Sequence, residues 1–299
     1  MSPLKQIQAD HPLAYYYVQK GIRIGSLRRL LGASMAAFVR WRRPRWPEVK
    51  AGTPGARMVN DLEKTGFAAI PDKSLSAENV ALIRKEMAER PLFDYYDSGR
   101  QYRLASLPEG VLKARHASID VLACRGLMDL ANDPDVLNAV AERLGAPPTL
   151  MSAEAWWTFG ENNSAAEHAF DDIYHRDADD LRFVKMFVYL TDTGIANGAH
   201  RFILGSHADD LFIRRGAIAE ADVNRSYAPG KMMTVMGKAG TAFLEETWGI
   251  HRAMLATEGR RFIFSAIYAL GPRMPFGPPT PLLPLPPAYD RYVNRLLFY

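Results

Sequence analysis

Apolar and polar positions change period along this chain, with helical spacing dominating the first half and two-residue alternation the second. Near the N-terminus Leu27, Leu30, Leu31, Met35 and Phe38 recur at helical spacing behind Ser26, a residue type suited to an N-cap, and the helix should end near Pro44. Gly21, Gly25 and Gly32 weaken it by about 1 kcal/mol each relative to alanine. Gly52, Pro54 and Gly55 read as a linker. Residues 62–71 then read as a helix end that turns at Gly66 into a short strand over 67–70. Ser76 can cap a helix running to about Arg90, with Val80, Ile83 and Met87 on one face. Two more helices are expected near 119–131 and 134–144, the second opening with a proline after Asp133.

From Leu150 onward the alternation is that of strands. Residues 151–159 place Trp156 and Trp157 on opposite faces, one ring inward and one outward. The β-rich run 182–190 sets Lys185, Phe187 and Tyr189 on one face and Val184, Met186 and Val188 on the other. Further strands are expected over 231–236, 241–246 and 261–269, with Gly237 and Gly240 bracketing the turn between the first two. Eight prolines between Pro272 and Pro287 suit an extended, polyproline-like segment, and residues 289–299 a short helix returning to the surface. The expected organisation is a segment over 1–50, a β-rich domain with a helical buttress over 51–271, and a Pro-rich tail over 272–299.

Composition adds one asymmetry. The 299 residues, 48% of them hydrophobic, suffice for one substantial core. A lone cysteine, Cys124, excludes an internal disulfide and suits a reducing cytoplasm. No apolar run approaches the roughly 18 residues a membrane span needs. The net charge of +4 conceals residues 11–47, which hold Lys20, Arg23, Arg28, Arg29, Arg40, Arg42, Arg43 and Arg45 and not one Asp or Glu. Three readings fit that segment: an amphipathic helix in peripheral contact with an anionic membrane, a helix packed on the main domain with its arginines solvated, or a transit peptide. Nucleic-acid binding is disfavoured, since the basic charge sits in one segment and no recognition motif accompanies it. Internal repeats, phosphate-binding glycine loops, paired-cysteine zinc spacing and a nucleophile elbow are absent from the sequence.

The candidate chemistry begins at His175 and Asp177. Side chains two apart on an extended strand leave the same face, so this imidazole and carboxylate can converge on one ion. His251 lies 74 residues beyond Asp177 and can supply the third ligand. Two histidines and one carboxylate form the facial triad that holds ferrous iron with coordination positions left open. Arg260 and Arg261 follow; adjacent residues on a strand point to opposite faces, so only one of them can offer its fork to a carboxylate in the site. A second His-x-Asp triplet, His207-Ala208-Asp209, follows Gly205-Ser206 and reads as a surface turn. His168 reads as a loop histidine bordering the site and His200 as structural. His11 and His116 have no evident partner.

His-x-Asp before an apolar strand, Asn197-Gly198, Gly205-Ser206-His207, a distal Gly-x-His and an arginine beside the last strand together resemble the phytanoyl-CoA dioxygenase family over roughly residues 57–270. The resemblance implies a double-stranded β-helix, jelly-roll-like core. It also implies Fe(II) held by His175, Asp177 and His251, with 2-oxoglutarate and O2 as cosubstrates. It favours Arg261 over Arg260 for 2-oxoglutarate, because Arg261 precedes the aromatic Tyr268 by seven residues, although the segment between His251 and Arg261 is about one residue shorter than is usual in the family. Phe187 would lie beside the cosubstrate. Related halogenases lack the carboxylate ligand, so Asp177 favours hydroxylation of a C–H bond in a small-molecule or lipid-linked substrate, giving succinate and carbon dioxide. A non-catalytic β-helix that binds a ligand and a peripheral membrane scaffold are the alternatives.

Overall fold

The computed structural model describes residues 21–22, 24–43, 46–47, 49–71, 76–163, 172–213, 216–271 and 283–299. The expectations for His11, Lys20, Arg23, Arg45, His168 and most of the Pro-rich stretch fall outside these. Half of the α-helices among the described residues begin where the sequence supplies a side-chain cap. In α1 (Gly25–Arg42) the N-cap is Ile24 with no side-chain bond, so Ser26 does not cap as expected but sits inside the first turn. For α2 (Pro54–Thr65) the Thr53 hydroxyl accepts from the Ala56 amide at 3.3 Å, and left-handed Gly66 ends the helix. Ser76 caps α3 (Ala77–Ala88), which buries Val80, Ile83 and Met87. The single helix expected over 119–131 is instead two, α4 (Ser118–Ala123) and α5 (Arg125–Ala131), because Cys124 adopts an extended backbone between them. α6 (Pro134–Leu144) is capped by the Asp133 carboxylate, which accepts from the Asp135 and Val136 amides.

The strands are β1 (Phe67–Ala69), β2 (Leu92–Asp94), β3 (Gln101–Tyr102), β4 (Lys113–His116), β5 (Thr149–Phe159), β6 (Phe183–Tyr189), β7 (His200–Ile203), β8 (Met232–Val235), β9 (Ala242–Glu245), β10 (His251–Ala253) and β11 (Arg260–Ala269). Eight form an antiparallel sheet in the order β1-β9-β6-β11-β5-β4-β2-β3, and three form a smaller one, β10-β7-β8. A bridge from His175 to His251 and another from Tyr174 to Ile218 extend the small sheet past β10. Strands β2, β3 and β4, unforeseen from the sequence, lengthen the far edge of the large sheet.

Alternation assigns the two faces of the large sheet. Phe262, Phe264, Ala266 and Tyr268 of β11, Val184, Met186 and Val188 of β6, and Trp157 and Phe159 of β5 join the helices in the main core. Ring stacking of Trp157 on Phe262, with centroids 4.5 Å apart, ties that layer together. The opposite face carries Ile263, Phe187, Tyr189 and Phe243 against Val235 of the small sheet, with Trp156 packed alongside. The two tryptophans therefore split between faces as the pattern requires. In the C-terminal segment the helix is a single turn, α7 (Arg291–Asn294), and the segment is half sunk into the body, although Arg291 and Tyr299 are exposed. Val293, Leu297 and Phe298 are buried, and Tyr289 donates to the Asp129 carboxylate at 2.6 Å.

Candidate metal centre

The space between the two sheets is where the chemistry gathers. His175 and His251 exchange both backbone hydrogen bonds across their bridge, at 3.0 and 3.1 Å, which sets the two imidazoles side by side with centroids 4.3 Å apart. The Asp177 amide donates to the Thr247 carbonyl at 2.8 Å and holds the segment one residue pair further along the same edge. Its carboxylate then lies 3.3 Å from His251 Nε2 and 3.8 Å from His175 Nε2. These three are the group among the described residues whose donor atoms could hold a metal ion, all within 4.8 Å of one another.

Tautomers follow from the neighbours. His175 Nδ1 lies 2.7 Å from the Ile173 carbonyl and His251 Nδ1 lies 3.0 Å from the Gly249 carbonyl. A carbonyl only accepts, so each Nδ1 carries a proton, and each Nε2 is turned toward Asp177, where it can serve as a metal ligand once unprotonated. That is how outer hydrogen bonds orient histidine ligands of a metal. The donor set fits ferrous iron: two imidazole nitrogens and one carboxylate on one side of a cavity.

Lys185 completes the electrostatics. Its ammonium lies 2.7 Å from Asp177 Oδ2 and 2.8 Å from Asp179 Oδ2, with all three side chains largely shielded from solvent. Burial works against the Asp177 carboxylate, but Lys185 first and then the two imidazoles override it and hold the group well below its ordinary range. Burial likewise opposes the Lys185 charge, and the two carboxylates more than restore it. Lys185→Met is expected to lower the stability of the metal-free protein by about 2–4 kcal/mol, since it strands two buried carboxylates. Urea unfolding reads that loss. The melting-temperature rise on adding Fe(II) should be larger than in wild type, because the cation takes over as counter-charge. Unchanged metal-free stability would show that the lysine is dispensable.

The residues around the triad explain the other motifs. Arg176, between the two ligands, points the opposite way; it donates to the Ser206, Trp248 and Leu211 carbonyls and pairs with Asp209 at 2.8 Å. The second His-x-Asp triplet is therefore a support for the first, with Asp209 engaged by Arg176. His207 lies on a turn as expected, but the turn is packed inward and the ring is buried, with Nε2 3.3 Å from the Glu63 carbonyl. The Ser206 hydroxyl accepts from the Ile250 amide at 2.8 Å and fixes the backbone entering His251. His200 lies near the triad: Nε2 is 2.7 Å from fully buried Glu245, and its ring lies 5.5 Å from that of His251. Only strand register joins these two, since no local motif links residues 45 apart. His116 places Nδ1 3.2 Å from the Pro91 carbonyl, away from the triad.

Arg260 and Arg261 separate as alternation demands. Arg260 is exposed and pairs with Glu161, whereas Arg261 is buried on the inner face, where it donates to the Gly198 carbonyl and to the Thr158 hydroxyl at 3.2 Å. Gly198 has φ +93°, and a Cβ there would come within 3.5 Å of the Arg261 guanidinium carbon. The left-handed turn at Asn197-Gly198 suits a glycine and presents the carbonyl to which Arg261 donates. Phe187 shares that inner face, 5.1 Å from the His200 ring. Beyond Lys185 the same face ends in an apolar cluster of Met151, Phe183 and Ala269, with Ile267 and Trp248 packed against it.

Two facing antiparallel sheets with two imidazoles and a carboxylate converging between them define the class of non-haem iron oxygenases with a jelly-roll core. A family model described as phytanoyl-CoA dioxygenase (PhyH) matches residues 62–262, and the chain belongs to that family. It is an Fe(II)- and 2-oxoglutarate-dependent dioxygenase-type enzyme acting through a His-Asp-His triad. Among solved structures, the chain is similar to the 2-oxoglutarate-dependent carbocyclase SnoK of nogalamycin biosynthesis at 20% identity, covering 75% of this chain and 87% of that one with a TM-score of 0.51. The epimerase SnoN of the same biosynthesis aligns at 19% identity over 72% of this chain and 82% of that one, TM-score 0.50. HygX from Streptomyces hygroscopicus, with nickel, 2-oxoglutarate and hygromycin B bound, aligns at 18% identity over 72% and 86%, TM-score 0.50. At these identities the likeness is one of fold. No curated protein matches the chain.

Proposed function

We propose that His175, Asp177 and His251 are the iron ligands of a hydroxylase, that Arg261 binds the distal carboxylate of 2-oxoglutarate beside Phe187, and that the substrate lies toward Met151, Phe183 and Trp248. The observation that carries this is the pair of Nδ1-protonated imidazoles presenting Nε2 to one carboxylate. Bound iron and 2-oxoglutarate supply the oxidant: dioxygen is consumed, the keto acid becomes succinate and carbon dioxide, and a hydroxyl replaces one substrate hydrogen. The chain's own part is placement. Lys185 keeps Asp177 ionised and oriented, the Ile173 and Gly249 carbonyls fix the imidazoles, and the apolar cluster excludes water from the reacting bond.

A small-molecule substrate suits this enclosed site. Within that class, a lipid-linked molecule is favoured over a freely soluble metabolite by one observation: α1 packs at the apolar end of the site, where Arg28 lies 4.0 Å over the Trp248 ring. The discriminating experiment is anaerobic addition of Fe(II) and then 2-oxoglutarate. A charge-transfer absorption in the visible that depends on both is expected, followed by succinate release on admitting oxygen. Absence of the band with correctly folded protein would favour a non-catalytic ligand-binding barrel.

A further inference from the structure

The N-terminal helix packs against the body through a face that the apolar pattern did not mark. Gly25, Arg28, Gly32 and Ala36 are its buried positions. Arg28 donates to the Asp180 carbonyl and stacks over Trp248, and a Cβ on Gly32 would lie 2.8 Å from Arg182 Cγ, so the helix sits very close to the loop that follows the triad carboxylate. The apolar stripe faces away. Leu30 is 63% exposed, Phe38 55% and Trp41 75%, with Leu27, Leu31 and Ile24 also exposed. At 3.6 residues per turn these six fall within about 120° of the helix circumference. Among the described residues, half of the exposed large apolar side chains lie on this helix and its N-cap.

We infer that this outer face of α1 docks on an anionic lipid bilayer. Such an apolar stripe in water is unfavourable, and its surroundings specify what covers it. Arg42 lies at one edge of the stripe, followed by exposed Arg43, and Arg40 lies about 80° beyond its other edge. No acidic residue occurs in the helix. Arg29, on the side nearer the body, pairs with Asp210 at 3.2 Å. A basic helix with Leu, Phe and Trp on its free face is suited to lie in the interface plane, apolar side chains at the acyl boundary and arginine stems reaching back to phosphates. It does not span: no helix among the described residues is long and apolar enough to cross a membrane. Because the opposite face rests on Trp248, docking brings the apolar end of the site close to the bilayer, which would deliver a lipid-linked substrate. That last step rests on the hydroxylase reading above; the docking does not.

Sedimentation of the full chain with sucrose-loaded vesicles tests it, using phosphatidylcholine alone and an equal mixture with phosphatidylglycerol. Strong pelleting is expected with the anionic vesicles. The partition coefficient should fall about tenfold or more with phosphatidylcholine alone, in Leu30→Glu with Trp41→Glu, and in Arg40→Glu with Arg42→Glu. Circular dichroism and succinate release should stay unchanged in both variants, since none of these side chains enters the site. Trp41 fluorescence should shift to the blue on binding. No partition into anionic vesicles would overturn the inference, as would partition indifferent to the Leu30 and Trp41 changes. A concentration-dependent dimer that those changes abolish, without vesicle binding, would also overturn it by assigning the face to a second copy of the chain. Asp177→Ala protein should still bind vesicles, so loss of turnover and loss of docking are read separately.

Discussion

Asp177→Ala is expected to reduce succinate formation by about 1000-fold or more and to abolish the absorption that Fe(II) and 2-oxoglutarate give together. Loss of a residue that only orients a metal ligand costs about 10–100-fold in metal affinity, and loss of the ligand itself should exceed that. The carboxylate is also the sole anionic member of the triad, so its removal leaves two neutral imidazoles. Folding should survive. The Lys185 ammonium, which Asp177 would otherwise leave stranded, keeps Asp179 at 2.8 Å. A stability loss of about 1–3 kcal/mol in the metal-free protein is therefore expected, below the cost of an uncompensated buried charge. Wild-type turnover in this variant would show that iron is held elsewhere. Treatment with a chelator should reproduce the variant's inactivity in the wild-type protein, and adding back Fe(II) should reverse it only in the wild type.

The sequence made the strands legible because their faces differ in chemistry. In the run from Val184 to Tyr189, alternation assigns the residues to the core and to the site, and the sheet register confirms the assignment by pairing Phe187 with Ser265 and Lys185 with Ile267. The triad was legible for the same reason, since His175 and Asp177 share a face whatever the rest of the fold does. Lys185 was placed on the correct face, yet its link to Asp177 and Asp179 depends on how a loop meets a strand, which periodicity does not encode. Glu245 and His200 were hidden more deeply. A glutamate beside a second glutamate reads as a solvated strand end, and only the pairing of β9 between β1 and β6 buries it.

The N-terminal helix shows where periodicity stops. Its stripe was read correctly as apolar, but a period gives a stripe and not what the stripe faces. The packing face uses Gly25, Gly32 and Ala36, small residues that allow close approach, together with an arginine whose stem and guanidinium cover an indole. Two of the three glycines expected to weaken the helix, Gly25 and Gly32, are those that let it dock.

Arg261→Leu is expected to raise the KM for 2-oxoglutarate about 100-fold, and Arg260→Leu to change it by less than about twofold. Truncating one partner of a buried, charge-assisted pair typically costs about 2–5 kcal/mol, and each 1.4 kcal/mol is a factor of ten. Arg260 is exposed and engaged by Glu161, so its contribution is that of a surface pair. Arg261→Lys should fall between, at about tenfold, because a point charge replaces a two-pronged fork. Arg261 also holds the Gly198 carbonyl and the Thr158 hydroxyl, and a loss of activity could arise from a loosened turn. A keto acid lacking the distal carboxylate separates the two causes. With 2-oxovalerate as cosubstrate, the wild-type enzyme should show the weak binding that Arg261→Leu shows with 2-oxoglutarate, and the variant's preference between the two acids should nearly vanish. A turn defect would depress both acids alike and leave the preference intact, which would remove Arg261 as the carboxylate anchor.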